Sequence, residues 1–142
     1  MNLPRFALRR GAHLSVILLL GIVLVACSGG GTTEPSDDNT GGGTIAVTDG
    51  VAELSVADLE FDANTITAPA GEAFTISFTN NDSAPHNISV YVSEGGDLIG
   101  EEGATIGEGE TTELAVEAFE PCTYYFQCDI HPEMNGAIVV EA

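Results

Sequence analysis

The chain has 142 residues, enough for one modest domain, with 22 acidic residues against only 3 basic ones and a formal charge of −19. That imbalance excludes nucleic acid and anionic lipid surfaces as partners of the folded body.

The basic residues Arg5, Arg9 and Arg10 stand ahead of an apolar run over residues 14–26 that ends Leu24-Val25-Ala26-Cys27. A basic start, a short apolar stretch and small residues before a cut mark an export signal, predicted over residues 1–26. An uncleaved anchor helix is the alternative, although the run is short for a membrane span. The Leu-x-Ala-Cys ending resembles the bacterial lipobox. That likeness implies a diacylated Cys27 as the mature N-terminus, and a protein held by lipid on the outer face of the cytoplasmic membrane or in the periplasm or cell envelope. All three arginines lie in the signal and every Asp and Glu after it, so the mature chain would carry 22 acidic residues and no Lys or Arg. Solubility, a saline medium that screens self-repulsion, and steering towards a basic partner each account for this. Residues 28–43 are rich in Gly, Ser and Thr without a large apolar side chain, and cannot bury enough to offset their ordering entropy. With Cys27 they are expected to form a flexible tether, residues 27–43, reaching roughly 20–25 Å on average.

From Thr44 onward the pattern becomes short strands with punctuation. Residues 45–47, 51–56 and 59–61 are β-rich, 62–64 and 69–71 read as turns, and 65–67 as a short strand. Phe74, Ile76 and Phe78 alternate with polar residues, which predicts a half-buried strand. After a loop over 80–85, Ile88, Val90 and Val92 share the parity of His86, while Asn87, Ser89 and Tyr91 take the opposite face. Residues 94–110 are a Gly- and Glu-rich excursion with little periodicity. Thr112, Leu114, Val116 and Ala118 resume the alternation, and Tyr124, Phe126 and Cys128 share a face in the next strand. No stretch carries a convincing helical period. Seven or eight short strands over residues 44–142 predict an all-β, Greek-key sandwich.

That last strand runs into Cys128-Asp129-Ile130-His131-Pro132-Glu133-Met134, a thiol, an imidazole and a thioether at spacings of three. Soft sulfur beside imidazole favours copper over zinc, magnesium or calcium, and zinc sites seldom use Met. A mononuclear blue-copper centre takes two His and one Cys, with a weak axial Met. The missing histidine is expected to be His86, since the only other one, His13, lies in the signal. Each residue has a plainer reading. Cys128 could be a small buried hydrophobe, His131 and His86 solvated loop residues, and Met134 a core filler. Cys122 stands too far along a strand to bridge Cys128, since six extended residues span about 20 Å and a bridge allows a Cα separation of at most about 7 Å. It is expected as a buried free thiol, with intermolecular pairing as the lesser alternative.

The loop at 128–134, the Asn135-Gly136 that follows it, and the segment Asn80-Asn81-Asp82-Ser83-Ala84-Pro85-His86-Asn87 resemble the ligand segments of the cupredoxins, or type 1 blue copper proteins. The two-residue gaps are similar to those of the short-loop, amicyanin- and pseudoazurin-like members. The resemblance covers residues 44–142. It implies one copper cycling between Cu(I) and Cu(II), held by His86, Cys128, His131 and Met134, with Asn87 hydrogen-bonding between the two ligand-bearing loops. Tyr124 resembles the corner tyrosine of Greek-key sandwiches. Function is then expected to be single-electron transfer, by a monomer, to a redox protein such as a basic cytochrome or an oxidase. Buffering or delivery of copper is the alternative. An enzyme of the multicopper or nitrite-reducing kind needs further His-rich sites, and two histidines in the mature chain are too few.

Overall fold

The computed structural model describes residues 42–142; the predicted signal, Cys27 and most of the tether lie outside them. Ten strands and no helix occur among these residues. In chain order they are β1 (Thr44–Ala46), β2 (Val51–Ala57), β3 (Glu60–Phe61), β4 (Thr65–Pro69), β5 (Phe74–Asn80), β6 (Ser89–Tyr91), β7 (Leu98–Ile99), β8 (Thr111–Val116), β9 (Thr123–Gln127) and β10 (Asn135–Glu141). They build a six-stranded sheet, β1-β4-β10-β9-β6-β7, and a four-stranded sheet, β3-β2-β5-β8. The expected all-β sandwich therefore stands. Its strand count is raised by two-residue pieces such as β3 and β7, which are set by backbone pairing with a neighbour and leave no periodic signal in sequence.

Alternation holds where a strand is long. In β5 the residues are in turn buried and half-buried, so Phe74, Ile76 and Phe78 enter the core and Thr75, Ser77 and Thr79 face out. Burying each such side chain contributes about 1.5–3 kcal/mol. Phe61 links the two sheets, with its ring centroid 5.9 Å from that of Phe78 and 5.5 Å from that of Phe126. Val92 departs from its expected inward face and is 46% exposed. β6 ends one residue earlier, and Val92 turns into a hairpin by donating its N–H to the Asp97 carbonyl. Ala118, beyond the end of β8, is likewise exposed.

The aperiodic excursion is where the topology matters most. Leu98 and Ile99 pair with Tyr91 and Val90, and Ile106 exchanges both backbone hydrogen bonds with His86, at 3.1 and 2.8 Å. Between them Gly103 presses on β6: a Cβ there would sit 1.9 Å from the Ile88 carbonyl oxygen. The segment thus clamps the approach to β6. Tyr124 donates its hydroxyl to the Glu120 carbonyl at 3.2 Å, closing a corner before β9.

Candidate metal centre

β6 and β9 are antiparallel neighbours, with Ser89 opposite Gln127 and Tyr91 opposite Tyr125. One rung further, past the ends of both strands, the same register sets Asn87 against Asp129. The segments carrying His86 and Cys128 therefore leave the sheet side by side. Cys128, on the parity of Phe126, is fully buried at the end of the core.

The loop after it closes on itself. Cys128 N–H donates to the Met134 carbonyl and Met134 N–H to the His131 carbonyl, both at 2.9 Å. Pro132 occupies the second position of that turn, where its fixed φ fits. Asn135 Nδ2 braces it, donating to the Pro132 and Glu133 carbonyls at 3.1 and 3.2 Å. Met134 is fully buried at the foot of the loop. His131 is half-buried, and Pro85, Pro132 and Ile130 beside the two histidine-bearing segments are exposed.

The opposite segment is organised by Asn80, the fully buried last residue of β5, for which the sequence pattern predicts a loop position and no specific role. Its amide donates to the Ala84 and Ile106 carbonyls at 2.8 and 3.0 Å, and its Oδ1 accepts from Asp82 N–H at 2.7 Å. The result aims Asp82 Oδ2 at His86 Nε2, 3.3 Å away. The same oxygen accepts the Leu59 N–H at 2.8 Å, from a turn in which Asp58 and Leu59 both adopt positive φ. The Leu59 bond, helped by hydrogen bonds from the Ala84 and Ser83 backbone and from His86, outweighs burial and holds the Asp82 carboxyl below its usual value. A carboxylate at Nε2 favours the ring proton there and leaves the Nδ1 lone pair free. Burial pushes His86 below the usual imidazole value, and Asp82 acts in the opposite direction. A neutral imidazole is what a metal ligand requires.

That lone pair faces the thiol. Cys128 Sγ lies 3.8 Å from His86 Nδ1 and 3.7 Å from His131 Nδ1, and all three atoms fall within 4.8 Å of one another. The imidazole centroids are 4.7 Å apart. A nitrogen and a sulfur held ~2.05 and ~2.3 Å from one ion, and ~120° apart, would be separated by ~3.8 Å. The spacing therefore fits a trigonal N₂S site, and the donor chemistry fits copper.

The two segments are tied behind the site. Asn87 Oδ1 accepts from the Asp129 backbone N–H at 2.8 Å, and Asn87 Nδ2 donates to Asp129 Oδ2 at 2.8 Å and to the Gly103 carbonyl at 3.3 Å. Ser89, Tyr91 and Gln127 also donate to the Asp129 carboxylate. Burial pushes the Asp129 carboxyl up, and these hydrogen bonds outweigh it, leaving the group below its usual value. The alternation in sequence puts Asn87, Ser89 and Tyr91 on one face, opposite that of His86 and Ile88. It does not show that they converge on one carboxylate, because the partner lies 38 to 42 residues away. Cys122 corrects an expectation: it is half-buried and disulfide-bonded, while Cys128 is free.

A family model described as a cupredoxin-like domain matches residues 17–140. Amicyanin-alpha of Methylorubrum extorquens is 33% identical over 92 residues, covering 65% of this chain and 73% of that protein. Among solved structures, the dithionite-reduced auracyanin of Roseiflexus castenholzii superposes with a TM-score of 0.56 at 21% identity, over 71% of this chain and all of that one. A reduced amicyanin variant gives 0.50 at 25% identity, over 67% of this chain and 86% of that one.

Proposed function

The chain belongs to the cupredoxin-like family, with one type 1 copper as its cofactor, and from that premise we propose that it carries single electrons between redox partners outside the cytoplasm. On this reading His86, Cys128 and His131 would hold the copper, Met134 would be a weaker fourth ligand, and Asn87 is the residue that holds the two ligand segments together. The observation that carries it is the convergence of two imidazole Nδ1 atoms and one buried thiol at 3.7–3.8 Å. When bound, copper supplies a one-electron couple. The protein supplies a constrained, dry ligand set that suits both oxidation states and limits reorganisation. Cu(II) added to the purified protein is expected to give an intense thiolate-to-copper absorption and a reversible couple. Tight binding with neither property would favour copper buffering or delivery.

His131, half-buried at the tip of its loop, is the exit for the electron, with exposed Pro85, Ile130 and Pro132 as an uncharged collar. A small apolar collar suits transient encounters between redox partners. The surrounding acidity then favours a basic partner such as a cytochrome. Electron transfer to one should be fast at low salt and slow steeply as salt rises. A rate indifferent to salt would assign the acidity to solubility or a saline habitat.

The same reading makes residues 1–26 an export signal, residues 27–43 a lipidated tether and residues 44–142 the copper domain. The sequence features that support it are the basic start, the Leu24-Val25-Ala26-Cys27 ending and the Gly/Ser/Thr-rich run. With three cysteines in the chain and Cys128 free, a diacylglyceryl thioether on the Cys27 sulfur and a disulfide from Cys122 within the same molecule exclude each other. The mass of the mature protein decides: a lipid adduct on Cys27 supports the tether, and an unmodified Cys27 refutes it.

A further inference from the structure

Asp129 directly follows the thiolate ligand, and its carboxylate collects hydrogen bonds from four side chains. Asn87 Nδ2 and Ser89 Oγ donate to Oδ2, and Tyr91 OH and Gln127 Nε2 donate to Oδ1. No cation offsets the charge, because residues 42–142 contain no Lys or Arg. Nor is the charge needed to join the two ligand segments. The Asn87 Oδ1 accepts from the backbone N–H of residue 129, which any residue except proline would supply. A neutral side chain at this half-buried position would also avoid the cost of desolvating a charge. The fold instead surrounds a full negative charge with neutral donors, which fix it in place and reduce its reach without cancelling it.

We propose that Asp129 sets the reduction potential: it is a fixed anion behind Cys128 that favours the oxidised metal site. The sign follows from charge alone. With one thiolate and two neutral imidazoles, the Cu(II) site carries one more positive charge than the Cu(I) site. A nearby anion lowers the energy of the more positive state, so the potential is held down. The four donors point the positive ends of their dipoles at the carboxylate and partly screen it. Taking donors away should therefore strengthen its effect.

Resting on the copper-carrier reading above, the test compares midpoint potentials of the full-length copper-loaded protein at pH 7. Asp129→Asn removes the charge at nearly constant shape. It is expected to shift the Cu(II)/Cu(I) equilibrium about tenfold towards Cu(I), a rise of ~59 mV. The double variant Tyr91→Phe/Ser89→Ala keeps the charge and removes two screening dipoles, so its potential is expected to fall. Opposite signs support the proposal, whereas a general loosening of the site would move both variants the same way. Shifts of one sign, or an Asp129→Asn shift below about threefold (~28 mV), overturn it. The thermal midpoint of the metal-free protein is the companion readout. If Asp129→Asn lowers it while the potential stays put, Asp129 is a structural brace and the proposal fails. Should Asp129→Asn not hold copper, the donor variant decides by itself: a fall supports the proposal, and a rise or no change overturns it. A wild-type protein without a reversible couple overturns the copper-carrier reading too. A blue, reversible wild type with unmoved variants overturns only the role of Asp129.

Discussion

His86 shows how a single side chain is readied for a metal before any metal arrives. Its Nε2 meets the Asp82 carboxylate and its Nδ1 meets the Cys128 thiol, so one nitrogen keeps a proton and the other offers a lone pair. On the proposed reading Cys128 is the donor that would give the copper-loaded site its colour. Cys128→Ser is expected to abolish the thiolate-to-copper band, and Cys122→Ser to leave it, as the visible spectrum of the copper-loaded variants will show. A colourless Cys122→Ser protein would displace Cys128 from the ligand set. Asn87 carries a different burden, since its amide satisfies both the Asp129 backbone and the Asp129 carboxylate. Asn87→Ala leaves buried partners unpaired and should cost about 2–3 kcal/mol in the metal-free protein, measurable by urea unfolding. A loss under about 0.5 kcal/mol would mean that Gly103 and Ser89 hold the segments without it.

Among the elements, β9 and β10 frame the site, and their close approach depends on one small residue. Gly136, the second residue of β10, lies opposite Phe126, and a Cβ there would lie 2.4 Å from the Phe126 ring and 2.5 Å from the Asn64 carbonyl oxygen. The ring cannot retreat, because it already packs against Phe61. Gly136→Ala should therefore destabilise the fold by about 1–3 kcal/mol, as overpacking does. It should also disturb copper binding, since Met134 and Asn135 immediately precede it. A variant as stable as the parent would show that β10 can slide away from Phe126. The short strand β7 and the segment after it act at the other flank. Through Ile106 they pin His86 from the side opposite Cys128.

For the molecule as a whole, charge and protonation set the working range. Burial depresses His86, so the unfolded chain binds a proton that the fold resists. Its contribution to stability is present above its unfolded value near 6.5 and is lost as pH falls through the folded one. The depressed Asp82 and Asp129 add losses of the same sign below about 3.8. The thermal midpoint of the metal-free protein should fall between about pH 7 and about 5.5 at fixed ionic strength, and a rising midpoint would contradict the depression of His86. At fixed pH the midpoint should instead climb with salt, because screening relieves repulsion in a body without Lys or Arg.

The sequence by itself determined the class of fold and the chemistry of the site. Alternation in β5 and β8 reports a two-sided strand because side chains project at a period of two, and that signal is local. The cysteine, histidine and methionine of the ligand loop are likewise close in sequence, and a shortage of histidines left His86 as their partner. Only the tertiary structure decided what surrounds them. The parallel pairings of β2 with β5 and of β4 with β10 join residues far apart in the chain, and no local pattern encodes them. The bridge from Ile106 to His86 lies in a segment with no periodicity, since its place is set by Gly103 packing on the Ile88 backbone. The carboxylates behind the site were hidden for the same reason. Asp82 and Asp129 are two acids among 22, and the hydrogen bonds that set them apart exist only once the strands have paired.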